Sequence, residues 1–414
     1  MKLVMSFGVV VLGVSLIACS STAEPSTTVV SSTVVPSTVD LSSKDLAGAD
    51  LSGADLSGKD LTNVNLDGAN LSNANLDGAD LTGASLQSAD LNGASLIGTS
   101  LNDADLSGTN LRGANLTRAL LAYAKLLGAN LEQVVLKGAS LSETDLSGMD
   151  LRSLDMSGAS MSHSNLKGAD LSYANLSGAF MSKANLAGAK LDYANLDNAY
   201  MEGANLMDSS AMEGASMRGV DLSGADLKGA QLWGVNLNEA ILNGADLTGA
   251  SMSGASFIGA NLENAKLVRA DIAGADFRGG FMANADFSHA GGGSNYTGAH
   301  IVNFSGAFMQ GANLSDANFS GVYFVGANLR GANLTGTYLI EANLTDANLA
   351  SANLSGARIA GGDEEDVTGA NFTGANLSNA NLTQTYLYGS DLSDANLTGA
   401  NLAGVTMPDG SIHK

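Results

Sequence analysis

"GANLSNANLDGADL", residues 68–81, comes close to repeating itself every five residues. Leucine stands at 71, 76 and 81, alanine two places before each, and Asn or Asp between them. An α-helix of 3.6 residues per turn would spread those leucines around its circumference, and a strand of period two would send alternate ones to opposite faces. Neither element fits. A period of five with two inward positions describes a chain that turns a corner at each repeat. One large and one small apolar side chain then point inside and three residues face out.

The pattern extends in both directions. Every fifth residue from Leu41 to Leu206 is Leu or Met, and the residue two before it is mostly Ala, with occasional Val, Thr, Ser, Lys, Leu or Met. Central residues continue in shifted phase from Met212 to Phe287, at Tyr296 and Ile301, from Phe304 to Ile359 and from Val367 to Met407, about 73 in all. The shifts mark bulges: one extra residue in "MDSSAM" (207–212), about one disrupted coil in 289–304, and three extra residues in "IAGGDEEDV" (359–367). Unusual residues recur at spacings of twenty. Met161, Met181 and Met201 share a central column, Phe257 and Phe277 form a pair, and Phe304 and Phe324 form another. Outward positions agree, with Phe180 and Tyr200, and Tyr173 and Tyr193, each twenty apart. Four repeats per coil would place such residues directly above one another, where side chains must match in volume.

The segment Ala69-Asn70-Leu71-Ser72-Asn73 fits the pattern A-[DN]-L-x-x, and on it the chain resembles the pentapeptide repeat family. The resemblance covers nearly everything beyond residue 40. It implies an all-β fold, a right-handed quadrilateral parallel β-helix with four repeats to each coil. About 18 coils at about 4.8 Å each make a rod near 90 Å long. The interior of such a rod is too narrow for two large side chains per repeat, so Leu at one position requires Ala at the other. Gly and Asn near the corners tolerate the backbone angles of tight turns. No repeat is stable alone, and the two open ends invite edge pairing, which makes an end-to-end homodimer an expectation.

Composition agrees and narrows the partners. The 414 residues include 51 Gly, 3 Pro and one Trp, with 5% aromatic and 14% charged residues, unlike an ordinary aromatic-filled core. Asp+Glu 41 against Lys+Arg 19 gives a formal charge of −22, which argues against binding the phosphate backbone of a nucleic acid. The single cysteine forms no intramolecular disulfide.

That cysteine, Cys19, closes the segment "MKLVMSFGVVVLGVSLIACSS": Lys2, an apolar run from Leu3 to Ile17, then Leu16-Ile17-Ala18-Cys19. A run this short describes a secretory signal, since spanning a bilayer needs about 20 apolar residues. Leu-Ile-Ala-Cys resembles the lipobox of bacterial lipoproteins, which implies a Cys19 diacylated on sulfur as the first mature residue. Acyl chains contribute about 0.8 kcal/mol per buried CH₂, enough in pairs to anchor a soluble domain. Residues 20–38 are rich in Ser, Thr and Val with two prolines and read as a tether. The expected organisation is a cleaved signal peptide at 1–18 and a lipidated cysteine with its tether at 19–39. A continuous β-helix follows at 40–407, with irregular loops near 207–212, 289–303 and 360–366, and a tail at 408–414. The tail "MPDGSIHK" stops the pattern with Pro408 and an Asp409-Gly410 turn.

Candidate chemistry is sparse. His163, His289, His300 and His413 are scattered; His289 and His300 share an irregular region with Asp286 nearby, and no ligand spacing joins them. Asp363, Glu364, Glu365 and Asp366 are weak metal candidates that lack the alternating ligands and central glycine of a calcium loop, and read as a solvated bulge. Tyr173, Phe180, Tyr193 and Tyr200 form a possible interaction surface, set against stacking that shields the ladder. Ser and Asp recur at outward positions without a nucleophile, base and orienter together, and Trp233, also outward, is uninformative. No cofactor and no enzymatic activity are expected.

The reading that follows is a non-enzymatic, lipid-anchored solenoid on the extracytoplasmic face of the cell membrane, a structural or protein-interaction surface of the bacterial envelope. Its expected contacts are the membrane through Cys19 and an envelope protein. The family resemblance implies an alternative, since some pentapeptide repeat proteins mimic DNA with an acidic rod and bind DNA gyrase, protecting it from quinolones. The export signal opposes it because gyrase is cytoplasmic.

Overall fold

The computed structural model describes residues 45–207, 209, 212, 214–292, 301–360 and 368–413. Cys19, the tether, Tyr296, His300, Val367 and the acidic cluster Asp363 to Asp366 lie outside the described residues. The chain winds as a right-handed quadrilateral β-helix, one repeat to each side. The residue before each central position makes a single-residue parallel bridge to its counterpart one coil on, as in Asn70 with Asp90 and Asn75 with Ser95. The series that begins at Asp45 reaches Asn401 through seventeen such steps. At about 4.8 Å per step the described rod is about 80 Å long.

Five backbone N–H groups per repeat must find acceptors, and one repeat shows how. Asn70 N–H donates to Ala49 O of the preceding coil (2.9 Å), while Leu71 and Asn73 N–H donate to Asp90 O (2.7 Å) and Asn92 O (2.9 Å) of the next. Ala74 N–H closes the corner onto Leu71 O (3.0 Å). The fifth group, Ser72 N–H, is taken by the side chain of Asn70 at 3.1 Å. That last bond explains why a carboxamide or carboxylate stands between the inward residues, since an unpaired backbone donor at a corner would otherwise depend on water. The same amide donates onward, Asn70 Nδ2 to Asp50 Oδ1 at 3.1 Å, so Asn-over-Asp ladders run along the outside. Corner residues sit at positive φ, as Asn73 does at 57°. Asn tolerates that region better than most residues.

Inside, the Leu, Met, Phe and Ala columns are buried except in the first and last coils and at Ala129 and Met149. Met161, Met181 and Met201 stack as the spacing predicts. Where Thr replaces Ala inside, its hydroxyl donates to a turn carbonyl of the preceding coil, as Thr99 does to Leu76 O at 2.7 Å. A cavity lined by Leu111 through Met156 is about 10 Å³, about the least that holds one water.

The structure corrects two readings of the inserts. Asp276 bridges Asn303, so the insert after Gly292 is seven residues, Phe304 is the next central residue, and Ile301 is not one. Gly292 takes the central position because Ile272 and Val302 fill its side-chain space; a Cβ there would lie 2.9 Å from each. Arg358 bridges Tyr386, so the insert after Ile359 is eight residues rather than three, and the next central residue is Phe372. The one-residue shift near 207–212 holds, since Asn205 bridges Asp226. These registers join the two phenylalanine pairs into one stack of Phe257, Phe277, Phe304 and Phe324, with centroid spacings of 4.8, 4.8 and 5.1 Å.

The tail turns at Asp409-Gly410 and folds back antiparallel, Thr406 against Ile412, with His413 N–H donating to Val405 O at 2.8 Å. Val405 is buried beneath it, whereas Leu392, Leu397 and Leu402 of the last coil stay half-buried. Phe277, buried in the middle of the ring stack, is expected to be the most sensitive of these positions. Phe277→Ala should cost about 3–5 kcal/mol, read as a lower urea midpoint, whereas Phe277→Leu should cost much less because Leu fills this column elsewhere.

Candidate interaction surface

Their repeats lie two apart around the four-sided coil, so Phe180 and Tyr200 lie on the opposite side of the rod from Tyr173 and Tyr193, and the four aromatics form two surfaces. Phe180 and Tyr200 occupy mid-face outward positions over Met181 and Met201 and stack at 4.9 Å with 3° between planes. Tyr173 and Tyr193 occupy corner positions at φ 62° and 56° and stack at 5.1 Å. The Tyr193 ring continues over the next corner, where a Cβ on Gly214 would meet it at 2.7 Å. This pair therefore covers backbone as well as facing solvent.

A third feature was missed in the sequence. Across the face between the corners at 127–128 and 132–133, Asn130 makes no bridge to Asp150 although Lys125 and Val135 are bridged on either side, and among the described residues Gly128, Leu131 and Gln133 N–H form no bond to the next coil. The cause lies in the small inward position, where Met149 and Leu154 stand in place of Ala and hold the coils apart. A surface groove of about 840 Å³ results, lined by Leu127, Met149, Arg152 and Tyr173 among others. Leu127 is 83% exposed, and Arg152 is held by Asp150 through two bonds of 2.8 and 2.6 Å. Large residues at 149 and 154 against a background of alanine were the signal that could have revealed it.

Among the described residues the histidines stay apart. His163 and His289 are exposed corner residues at positive φ. Asp286 is engaged by Ser288 N–H and the Asn313 amide, both at 2.9 Å, rather than by His289. Among the described residues no group of three metal-ligating side chains converges. Trp233 donates its Nε1–H to the Ser251 hydroxyl. Among the described residues no helix is long and apolar enough to cross a membrane.

Many carboxylates that give the chain its charge serve as corner acceptors. The Ser57 hydroxyl and then its backbone N–H hold the Asp55 carboxyl below its ordinary value of 3.8, and Ser147 acts likewise on Asp145. At Ser85, Ser95, Ser216 and Ser256, which replace Asn or Asp before the central residue, a carboxylate or amide of the preceding coil substitutes. Asp67 accepts from Gln87 N–H at 2.9 Å and from the Ser85 hydroxyl at 2.5 Å, and Asp77 does the same for Ile97 and Ser95.

The family model "Pentapeptide repeats (8 copies)" matches residues 45–208, 215–290, 302–363 and 368–407. The chain belongs to the pentapeptide repeat family. Among solved structures it is similar to HetL, a pentapeptide repeat protein involved in heterocyst differentiation regulation from the cyanobacterium Nostoc sp. strain PCC 7120. The identity is 29% over 65% of this chain and 93% of that one, with a TM-score of 0.34. Rfr23 from the cyanobacterium Cyanothece 51142 is 39% identical over 22% of this chain and 58% of that one, with a TM-score of 0.18. QnrB1, a plasmid-mediated fluoroquinolone resistance protein, is 22% identical over 45% of this chain and 92% of that one, with a TM-score of 0.20. None of the curated proteins compared matches the chain.

Two outcomes follow for stability. Carboxyls whose folded pKa is depressed stabilise the fold fully above their ordinary value and lose that contribution as pH falls through the folded one. Urea midpoints should therefore be level between about pH 5 and 7 and fall below about pH 4, and a midpoint that rises on acidification would contradict the capping role. Gly214→Ala should cost about 1–2 kcal/mol from its left-handed backbone alone. Pairing it with Tyr193→Ala, which removes the obstructing ring, should recover part of the loss in a double-mutant cycle.

Proposed function

We propose that this protein is a non-enzymatic, lipid-anchored solenoid on the extracytoplasmic face of the cell membrane, where its outer faces serve the envelope as a structural or protein-binding surface. The observation that carries the reading is Leu16-Ile17-Ala18-Cys19 behind a short basic and apolar start, followed by a tether and then a continuous repeat. The filled interior supports it, because side chains that complete the core leave function to the outside. The partners in this reading are the membrane, through Cys19, and an envelope protein bound along a face. The half-buried last coil also keeps an end-to-end homodimer within the reading.

The acidic DNA mimic is retained on one observation. Ten carboxylates fall between Asp45 and Asp105 against the single cation Lys59, so negative charge is concentrated in the first coils. One experiment separates the two readings. Cells expressing the chain are fed a labelled fatty acid and fractionated. The anchored reading expects label on the chain in the membrane fraction, with both lost in Cys19→Ala. An unlabelled chain in the cytoplasm that blocks DNA binding by purified gyrase would instead establish the mimic.

A further inference from the structure

On the face over Met161, Met181 and Met201, the outward mid-face column carries large apolar side chains where the other faces carry mostly Asn, Asp and Ser. Successive coils present Phe180, Tyr200, Asp221, Ile241, Asn261, Phe281 and Phe308, each bridged to the next. The five apolar members are between 40 and 49% exposed. Six steps of about 4.8 Å make a stripe about 29 Å long. An apolar run of this length on a soluble rod marks a contact surface.

The order of the column reads the same from either end. Ile241 is central, Asp221 and Asn261 flank it, and a stacked aromatic pair lies beyond each. Phe180 and Tyr200 stack at 4.9 Å, Phe281 and Phe308 at 5.1 Å, both with nearly parallel planes. A two-fold axis across the rod at Ile241 sets Ile241 on itself, Tyr200 on Phe281, Phe180 on Phe308 and Asp221 on Asn261. A surface complementary to itself under a two-fold is the requirement for an isologous dimer. We propose that this face is the interface of an antiparallel dimer, two copies of the chain packed face to face with the axis at Ile241.

Charge favours this direction over the parallel one. Among the described residues Ser223 bonds only Oδ1 of Asp221, which leaves Oδ2 to accept the amide of Asn261 from the second copy. Glu202 and Glu263 come opposite Ala283 and Ser223. A parallel pair would set Asp221 against Asp221, a like-charge cost. The face is also free of insert junctions. The seven- and eight-residue inserts both leave the rod at the corner after Gly292 and Ile359, and the one-residue insert begins after Leu206, all bordering the opposite face. With full overlap, a contact about 67 Å long and about 10 Å wide covers roughly 650 Å² per copy, at the lower bound of stable interfaces.

The test is independent of the anchor. The full chain with Cys19→Ser has no other cysteine, so single thiols can be introduced and joined by a maleimide linker spanning about 10 Å, the distance between packed sheets. Ile241→Cys should cross-link to itself. Phe180→Cys and Phe308→Cys should each stay uncoupled alone and give at least fivefold more dimer when mixed. Self-linking at all three positions would mean a parallel pair and overturn the proposal. A monomer by sedimentation at 100 µM would overturn it as well. So would monomeric chain floating with phosphatidylcholine vesicles, which would assign the stripe to lipid. Tyr200→Glu with Phe281→Glu should halve the sedimentation mass while circular dichroism and the melting profile stay those of the parent. A folded double variant that remains dimeric would also refute it.

Discussion

Everything in this protein depends on the distance between coils. Parallel bridges fix that rise at about 4.8 Å, and a tube wound so tightly has room on each side for one large and one small side chain. Leu with Ala satisfies the rule almost everywhere. Phe is accepted where rings stack in register, from Phe257 to Phe324, with Phe287 and Phe319 filling in edge-on at 5.6 to 5.9 Å. Met149 and Leu154 break the rule, and the wall opens beside them. Volume inside therefore determines continuity outside.

The charge of −22 acquires a structural meaning from the same geometry. The corners leave a backbone N–H that the carbonyls of the neighbouring coils do not take, and at most of them Asn or Asp two residues before supplies the acceptor, as Asn75 does for Asp77 N–H at 3.1 Å. Acids accumulate because corners do. Asn relieves the repulsion between stacked carboxylates by donating from one coil to the next, as Asn110 does to Asp90 at 2.9 Å. The nine ion pairs among the described residues are half-exposed for the most part, and pairs of that kind contribute little. The ladder and the core hold the rod together.

Because the interior is committed to packing, chemical individuality lies outside. One face carries the aromatic and aliphatic column centred on Ile241. The opposite side carries the Tyr173 and Tyr193 corner, the groove beside Met149, and the junctions of both long inserts. Two sides of one rod are thus specialised differently by exchanging residues that the repeat leaves free.

The sequence by itself determined the period, and the recurrence of unusual residues at spacings of twenty agreed with the four repeats per coil that the family resemblance implies, so Met161, Met181 and Met201 were expected to stack. It also identified the pentapeptide repeat family and marked Phe180 with Tyr200 and Tyr173 with Tyr193 as stacked pairs. Only the tertiary structure decided which residues share a face once the register had shifted. Inserts of seven and eight residues lengthen the chain between coils without adding a coil, so Phe281 and Phe308, 27 residues apart, are neighbours just as Phe180 and Tyr200 are. The symmetry about Ile241 is absent from sequence spacing for that reason. Periodicity is a local property of the chain, whereas the joining of columns across an insert depends on which side chains fill the tube on either side of it.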